Sequence, residues 1–341
     1  MTGYLIPKHL RKNAYKGATL GSKTFCVMQW AIDSRRVDMT RDDANQADLI
    51  ASLAKDLIEV VPDPEYGGML VRSGGPGINV RCPEIGRLEG VTSIELMGTD
   101  IDDEGFPYLC HHHGLRKLRY NASHVTAKGL AHAKAWQQLT EVKIQCLPVK
   151  GLLDAFAALP QLEILSAIGC ELNEHDLECL ANCRRLRKLY LSNNPIRCGF
   201  RYAANCPQLE FLEAADTELD MEGMQEIAQL NSLRNLSFSH TPIDHDICME
   251  IGSLTRLTRL SLGHTGVPAS AATVLNQLPD LTELWWPSTG ITMENIQDFA
   301  SLKNLKELEV PGRPAPAPEI VKALRAALPH CDVNIWWPDA S

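Results

Sequence analysis

The amino-acid sequence repeats every 23 or 24 residues, and this repeat restricts the possible folds more than any other feature. Each unit begins with an apolar residue and carries further apolar residues three, five and ten positions later. Offsets three and five, separated by one other residue, have the period of a β-strand. The units begin at Val91, Leu115, Leu139, Leu162, Leu186, Leu209, Leu233, Leu257, Leu281 and Leu305. A unit this short cannot bury its own apolar face, so we expect the units to stack around one continuous core.

The residue eight positions after the start of each unit is predicted to stabilise a turn at the end of the strand. In most units this residue is small and carries a hydroxyl, amide or thiol group, which can bond the inward-turning backbone. We call these positions the polar ladder, which consists of Thr99, Ser123, Leu147, Cys170, Asn194, Thr217, Thr241, Thr265, Thr289 and Arg313. Beyond the turn, Asp102, Asn173, Asp220 and Thr292 are expected to cap short helices.

The repeat resembles the leucine-rich repeat, and Leu257–Val267 (LTRLSLGHTGV) is a clean instance of its pattern. The resemblance covers about residues 85–337. It implies an α/β solenoid shaped like a horseshoe, with a parallel β-sheet on the concave face and short helices on the convex face. The threonine form of the ladder is similar to cytoplasmic 24-residue repeats of bacterial proteins. Cys183 and Cys206 give some resemblance to the cysteine-containing repeats of F-box proteins.

Three regions are predicted along the chain. Residues 1–41 form a basic N-terminal arm, and residues 42–84 form an N-terminal cap with a helix over 42–60. A hairpin is expected to follow, with strands at Met69–Arg72 and Ile78–Arg81 joined by the turn Gly74–Gly77. Residues 85–337 then form the solenoid of ten regular coils and a terminal coil. Its C-terminal end is closed by a helix over 319–328 and a strand over 331–337.

The charge balance restricts the class of partner. The chain carries a net charge of −9, which argues against nucleic acid because proteins that bind polyanions usually present a basic face. Residues 1–41 differ, since their eight Lys and Arg against two Asp give 8 − 2 = +6. This arm is expected to be solvated or loosely docked; a contact with an acidic partner and a targeting segment are the alternatives.

Hydropathy and cysteine usage indicate the compartment. No apolar run is long enough to span a membrane, so no membrane association is predicted. The 11 cysteines are scattered along the chain and odd in number, which fits a reducing compartment better than a disulfide framework. We therefore expect a cytoplasmic protein.

Several motifs contain residues that can form chemical sites, and none favours catalysis. The run Cys110–His113 suggests a metal, but consecutive side chains diverge and no Cys-x-x-Cys pair stands nearby. Cys179 and Cys183 stand four residues apart and could share a helix face. Cys183 and Cys206 share one repeat offset with apolar residues, however, which indicates core positions for them. His240 and His264 also share an offset and are expected to lie side by side on the surface. No metal, cofactor or small-molecule substrate is predicted.

The fourth to sixth coils break the polar trend of the predicted concave surface. They place apolar residues at outward offsets with charged residues around them, which is the composition of a protein interaction hot spot. The predicted partner-binding residues are Ile164, Ile168, Arg187, Lys188, Tyr190, Glu210, Phe211 and Glu213, with Trp285 as a separate anchor.

The sequence therefore predicts a non-enzymatic module that binds a protein partner, of unknown identity, through the concave surface of the solenoid. Two alternatives remain open. One is a substrate receptor of a ubiquitin-ligase-type complex, which needs a docking segment beyond the single amphipathic helix of the first 60 residues. The other is a regulator or inhibitor of an enzyme such as a nuclease or a GTPase. The identity of the proteins recovered with the chain distinguishes these functions.

Overall fold

The computed structural model describes residues 41–121, 124–148, 151–311 and 316–336, and one sheet of 13 strands runs through them in chain order. The first two strands are antiparallel, and every later neighbouring pair is parallel. The strands are β1 (Glu59–Pro62), β2 (Met69–Gly74), β3 (Val91–Met97), β4 (Lys117–Asn121), β5 (Glu141–Gln145), β6 (Ile164–Ile168), β7 (Lys188–Tyr190), β8 (Phe211–Glu213), β9 (Asn235–Ser237), β10 (Arg259–Ser261), β11 (Glu283–Trp285), β12 (Glu307–Pro311) and β13 (Asp332–Trp336).

From β2 onward, short helices return the chain from each strand to the next. The α-helices are α1 (Arg41–Ala54), α2 (Cys82–Ile85), α3 (Phe106–Leu109), α4 (Ala127–Leu130), α5 (Leu152–Ala157), α6 (Met221–Ile227), α7 (His245–Glu250), α8 (Ile296–Ala300) and α9 (Pro318–Ala327). The 3₁₀ helices are Asn79–Arg81, Ala131–Ala135, Glu174–Asn182, Phe200–Asn205, Ile251–Ser253, Ala269–Gln277 and Ser288–Gly290. The predicted α/β solenoid, with a parallel sheet on the concave face and short helices on the convex face, is confirmed.

The sequence repeat determines the register of the sheet, because residues at the same repeat offset pair between neighbouring strands. Leu212, Leu236, Leu260 and Leu284 stand three residues after the start of their units, and each pairs with the next across neighbouring strands. All four are buried, and they belong to one apolar core that runs from Ile50 in α1 to Val333 in β13. Identical offsets thus meet from coil to coil, which is why a single coil has no core of its own.

The polar ladder bonds neighbouring coils together where its residues are buried. The amide of Asn194 donates to the carbonyl oxygens of Ala167 and Leu191 at 2.8 and 2.7 Å. Its Oδ1 atom accepts from the backbone N–H groups of Cys170 and Leu172 at 2.9 and 3.0 Å. Thr241 is 1% exposed, and its hydroxyl donates to the carbonyl of Ala214. The inward turns therefore receive their hydrogen bonds from side chains of the same coil and of the next.

The chain reaches the ladder through a left-handed residue that sequence reasoning missed. The residue one position before the ladder has a positive φ in seven coils of the described chain. These residues are Gly98, Cys146, Gly169, Asn193, Asp216, His240 and His264. Because this conformation is strained for residues other than glycine, the mixture of side chains hid the turn from a search for glycine.

The ninth coil departs from the predicted ladder. Thr289 is exposed there, whereas Ser288 is buried within a 3₁₀ helix. The carbonyl of Gly290 accepts from the indole of Trp286 at 3.2 Å and from the amide of Asn295 at 2.8 Å. Trp286 and the buried residue Asn295 therefore supply the hydrogen bonds of this turn, and Thr289 does not.

Two of the four predicted helix caps are confirmed, whereas Asp102 and Thr292 do not cap a helix. Asp220 accepts from the N–H of Gly223 at the start of α6, and Asn173 forms a capping box with Asp176. Thr292 caps no helix. Its N–H instead donates to Asn295, the residue that precedes α8. Asp102 accepts from the two N–H groups that precede α3.

The hairpin of the N-terminal cap forms between β1 and β2, not between Met69–Arg72 and Ile78–Arg81 as predicted. Asp63 stabilises the β1–β2 turn by accepting from the N–H of Glu65 at 2.9 Å. The carboxylate of Asp100 accepts from the N–H groups of Gly77 and Ile78, both at 2.9 Å, and Asn79–Arg81 is a 3₁₀ helix. The predicted basic arm lies outside the described residues except for Arg41.

We expect Thr241→Val to lower the free energy of unfolding by about 1–3 kcal/mol, because the buried carbonyl of Ala214 and the N–H of Thr217 lose a partner. Thr289→Val is the matched control, since this exposed threonine has the same repeat offset. Its effect should stay below about 0.5 kcal/mol. Urea denaturation followed by circular dichroism measures both values. Equal losses would contradict the role assigned to the ladder.

We also predict that all 11 cysteines of the chain are reduced. Burial raises the pKa of the Cys110, Cys183 and Cys206 thiols to about 12, so they stay protonated and shielded. Cys146 is exposed and should react first with iodoacetamide among the ten cysteines that the structure describes. Mass spectrometry should then show 11 adducts after unfolding without reductant, and loss of the fast adduct in Cys146→Ser. A stoichiometric disulfide, or zinc found by elemental analysis, would contradict the prediction.

Candidate functional site

The predicted site residues of the fourth to sixth coils lie on three adjacent strands. In the register of β6, β7 and β8, Ile164 pairs with Lys188 and Lys188 pairs with Phe211. Tyr190 pairs with Glu213 in the next outward row. The buried residues Leu189 and Leu212 point to the core from between these rows. Strand pleating therefore presents two rows of side chains on the concave face.

Two aromatic rings form the centre of this region. The ring centroids of Tyr190 and Phe211 are 4.7 Å apart, and the ring planes are inclined by 36°. Both residues are partly exposed, because they point away from the core, whereas the alternate residues of the same strands are buried. Burial, followed by the charges of Glu213 and Glu141, raises the pKa of the Tyr190 phenol to about 12, so it is neutral at physiological pH.

The two isoleucines are less closely joined to the rings than the sequence suggested. Ile164 is partly exposed, and Lys188 stands between it and Phe211 in the register. Because two strand spacings separate Ile164 from Phe211, their backbones are about 10 Å apart. Ile168 lies at the far end of β6, opposite Gln145 of β5. The structure thus brings Tyr190 and Phe211 into contact and places the isoleucines at the margin.

Charged residues surround the rings. Arg187 and Glu210 form an ion pair of 3.2 Å just before β7 and β8, and Lys188 is exposed. Glu213 is different, because it is partly buried and accepts a hydrogen bond of 2.9 Å from the hydroxyl of the buried residue Ser192. Burial raises the pKa of its carboxyl. The rim therefore combines an exposed ion pair with a poorly solvated carboxylate.

Trp285 lies on β11, four strands from Tyr190 and in the same outward row. Its indole N–H donates to Glu309 Oε2 at 2.8 Å. Acidic residues occupy the outward positions around it, where Glu283 is paired with Arg259 at 2.6 Å. Burial, followed by repulsion from Glu309, raises the pKa of Glu307. Sequence reasoning identified the tryptophan but missed these carboxylates, which recur at offsets two and four of the last coils.

The side chains of the run Cys110–His113 do not converge on one site. Cys110 and His112 are buried whereas His111 and His113 are exposed, so the expected divergence of consecutive side chains is confirmed. Burial lowers the pKa of His112 to about 4, which keeps its ring neutral. Cys179 is also buried. Within the described ranges, no group of three or more His, Cys, Asp or Glu side chains is arranged to hold a metal ion.

His240 and His264 stack as the repeat predicts, with ring centroids 4.5 Å apart and planes inclined by 12°. Burial, followed by the charge of His240, lowers the pKa of His264. Both histidines occupy the left-handed position before the ladder, and Asp216 occupies it in the preceding coil. This carboxylate shares their repeat offset and was overlooked in the sequence.

No helix among the described residues is both long enough and apolar enough to cross a lipid bilayer.

Comparisons with known proteins relate the chain to solved structures only. An internalin of Listeria monocytogenes strain 4b F2365 is 16% identical and matches with a TM-score of 0.52, over 80% of this chain and 87% of that one. A leucine-rich-repeat protein of Leptospira interrogans is 18% identical with a TM-score of 0.52, over 74% of this chain and 62% of that one. This chain therefore spans less than two thirds of the Leptospira protein.

No protein-family model matches the sequence, and no curated protein does. The fold does not depend on such a match, because parallel strands recur in register at every 23 or 24 residues of the sequence. Together with the two similar structures, this register shows that the chain is a leucine-rich-repeat protein by fold.

Proposed function

We propose that this protein is a non-enzymatic interaction module that binds a protein partner through the concave surface around Tyr190 and Phe211. The observation that carries the proposal is the pair of partly exposed aromatic rings, 4.7 Å apart, near the middle of the sheet. Aromatic residues supply much of the binding free energy at protein interfaces when the partner removes them from water.

The strands beneath the rings make this surface suitable for recognition. Leu189 and Leu212 are fully buried under β7 and β8, so the backbone that carries the two rings is held by the core. A partner binding there meets preorganised side chains, which limits the conformational entropy lost in the complex. Arg187 and Glu210 add a polar rim, where a single ion pair contributes little affinity but helps to orient the partner.

The compartment proposed for this interaction is the cytoplasm. The ten cysteines among the described residues carry free thiols, and most are buried in the core. Such a distribution supports a reducing environment, in which these thiols need no protection from oxidation.

Replacement of both rings tests the proposal. The double substitution Tyr190→Ala, Phe211→Ala should weaken binding of the main partner, because both apolar anchors are lost. The expected loss of binding free energy is about 2 kcal/mol or more, which is a loss of affinity of roughly 30-fold. Affinity purification followed by mass spectrometry identifies the partner, and calorimetry with that partner gives the affinity. The recovered proteins also distinguish a ligase assembly from a single regulated enzyme.

Tyr202→Ala is the control, because Tyr202 lies on the convex side in the 3₁₀ helix of the same coil as Tyr190. It should leave partner recovery unchanged. If the double variant keeps a normal circular dichroism spectrum and still recovers the partner at wild-type levels, the proposed surface is wrong.

A further inference from the structure

Glu213 is an unusual member of the surface around the rings. It lies opposite Tyr190 in the register of β7 and β8 and opposite Ser237 on β9. The buried hydroxyl of Ser192 donates to it at 2.9 Å. Among the described residues, no cationic side chain forms an ion pair with Glu213, although other carboxylates of the concave strands have such partners. The sheet thus holds a negative charge whose solvation is incomplete.

The neighbouring side chains do not neutralise this charge. Arg187 is engaged with Glu210, and Lys188 stands in the other row, opposite Phe211. On the next strand, the outward residues are the neutral Asn235 and Ser237. The sheet becomes more acidic beyond them, since β11 to β13 present Glu283, Glu307, Glu309 and Asp332. Apart from Arg259 on β10, which is paired with Glu283, these outward residues carry no positive charge.

The aromatic rings add a second attraction for cations. The face of an aromatic ring is negative, so an ammonium or guanidinium group binds above it, most strongly where water is excluded. Tyr190 and Phe211 lie next to the Glu213 carboxylate, whose charge contributes to the raised pKa of the phenol. A purely apolar partner residue would bury the carboxylate without a counter-charge, at a cost that a cation removes.

We infer that the protein partner inserts a lysine or arginine side chain beside the Tyr190 and Phe211 rings, where it pairs with the carboxylate of Glu213. This inference rests on the proposed function and specifies the chemistry of the partner's central contact. The stem of either side chain packs on the rings, while its charged end reaches the carboxylate. Acidic residues on β11 to β13 favour further positive charge in the same partner segment.

A hexaarginine peptide is the probe for this contact, measured by calorimetry at low ionic strength with the full-length protein. Glu213→Gln removes the charge and keeps an oxygen that accepts from Ser192. We expect it to weaken hexaarginine binding by about tenfold or more, because a charge-assisted pair is lost at a poorly solvated site. Phe211→Leu keeps apolar bulk without a ring face and should weaken binding about three- to fivefold.

Glu104→Gln and Glu178→Gln are the controls for general attraction to an acidic protein, because both carboxylates are exposed and lie outside the strands of the concave face. Each should change the affinity less than about twofold. Losses equal to that of Glu213→Gln in either control would overturn the inference, as would unchanged binding by Glu213→Gln. This test can fail while the proposed function holds. A partner that is lost with Tyr190→Ala, Phe211→Ala but retained with Glu213→Gln would leave the surface in place and refute the cationic contact.

Discussion

The structure depends on the contact between one coil and the next. Each coil is too thin to enclose apolar side chains, so its leucines are buried only because the same offsets of the neighbouring coils pack against them. The same stacking supplies the polar groups, as Asn194 shows by bonding the backbone of the preceding coil and of its own. Loss of one such contact therefore weakens two coils, and stability is distributed along the solenoid rather than concentrated at its centre.

This stacking also determines what the concave surface can present. Neighbouring strands keep identical offsets in line, so outward residues form rows whose spacing is set by the backbone. Tyr190 and Phe211 belong to different rows of adjacent strands and meet diagonally. A surface composed in this way can change its chemistry from coil to coil while the core stays the same. Here it changes from paired charges on β4 and β5, through the rings, to carboxylates on β11 to β13.

Repetition explains how much of the fold could be predicted from the sequence. Ten copies of one pattern fixed the strands, their order and most ladder positions, because each copy supports the others. Predictions that depended on a single stretch failed more often. Ile78–Arg81 looked like a strand, but the carboxylate of Asp100, 22 residues after Ile78, accepts from the N–H groups of Gly77 and Ile78 at its start. Thr289 matched the ladder by offset, yet the indole of Trp286 and the amide of Asn295 supply the hydrogen bonds of its turn.

The residue types of the candidate site could be predicted from the sequence, but the contacts between their side chains could not. The aromatic residues and charges could be assigned to the concave face from their offsets alone. The contact between the two rings, the separation of Ile164 from them and the poor solvation of Glu213 depend on side-chain packing between coils. The carboxylates of the last coils are present in the sequence, but only the sheet shows that they lie close together on neighbouring strands.

Site-specific photo-crosslinking tests most directly whether partners bind the concave surface. A benzophenone amino acid replaces Lys188 on β7 in one protein and Ala204 on the convex 3₁₀ helix of the same coil in another, both exposed positions. If partners bind the concave surface, the purified partner crosslinks from position 188 and not from position 204. Crosslinking from position 204 alone would contradict it and move the binding surface to the convex side.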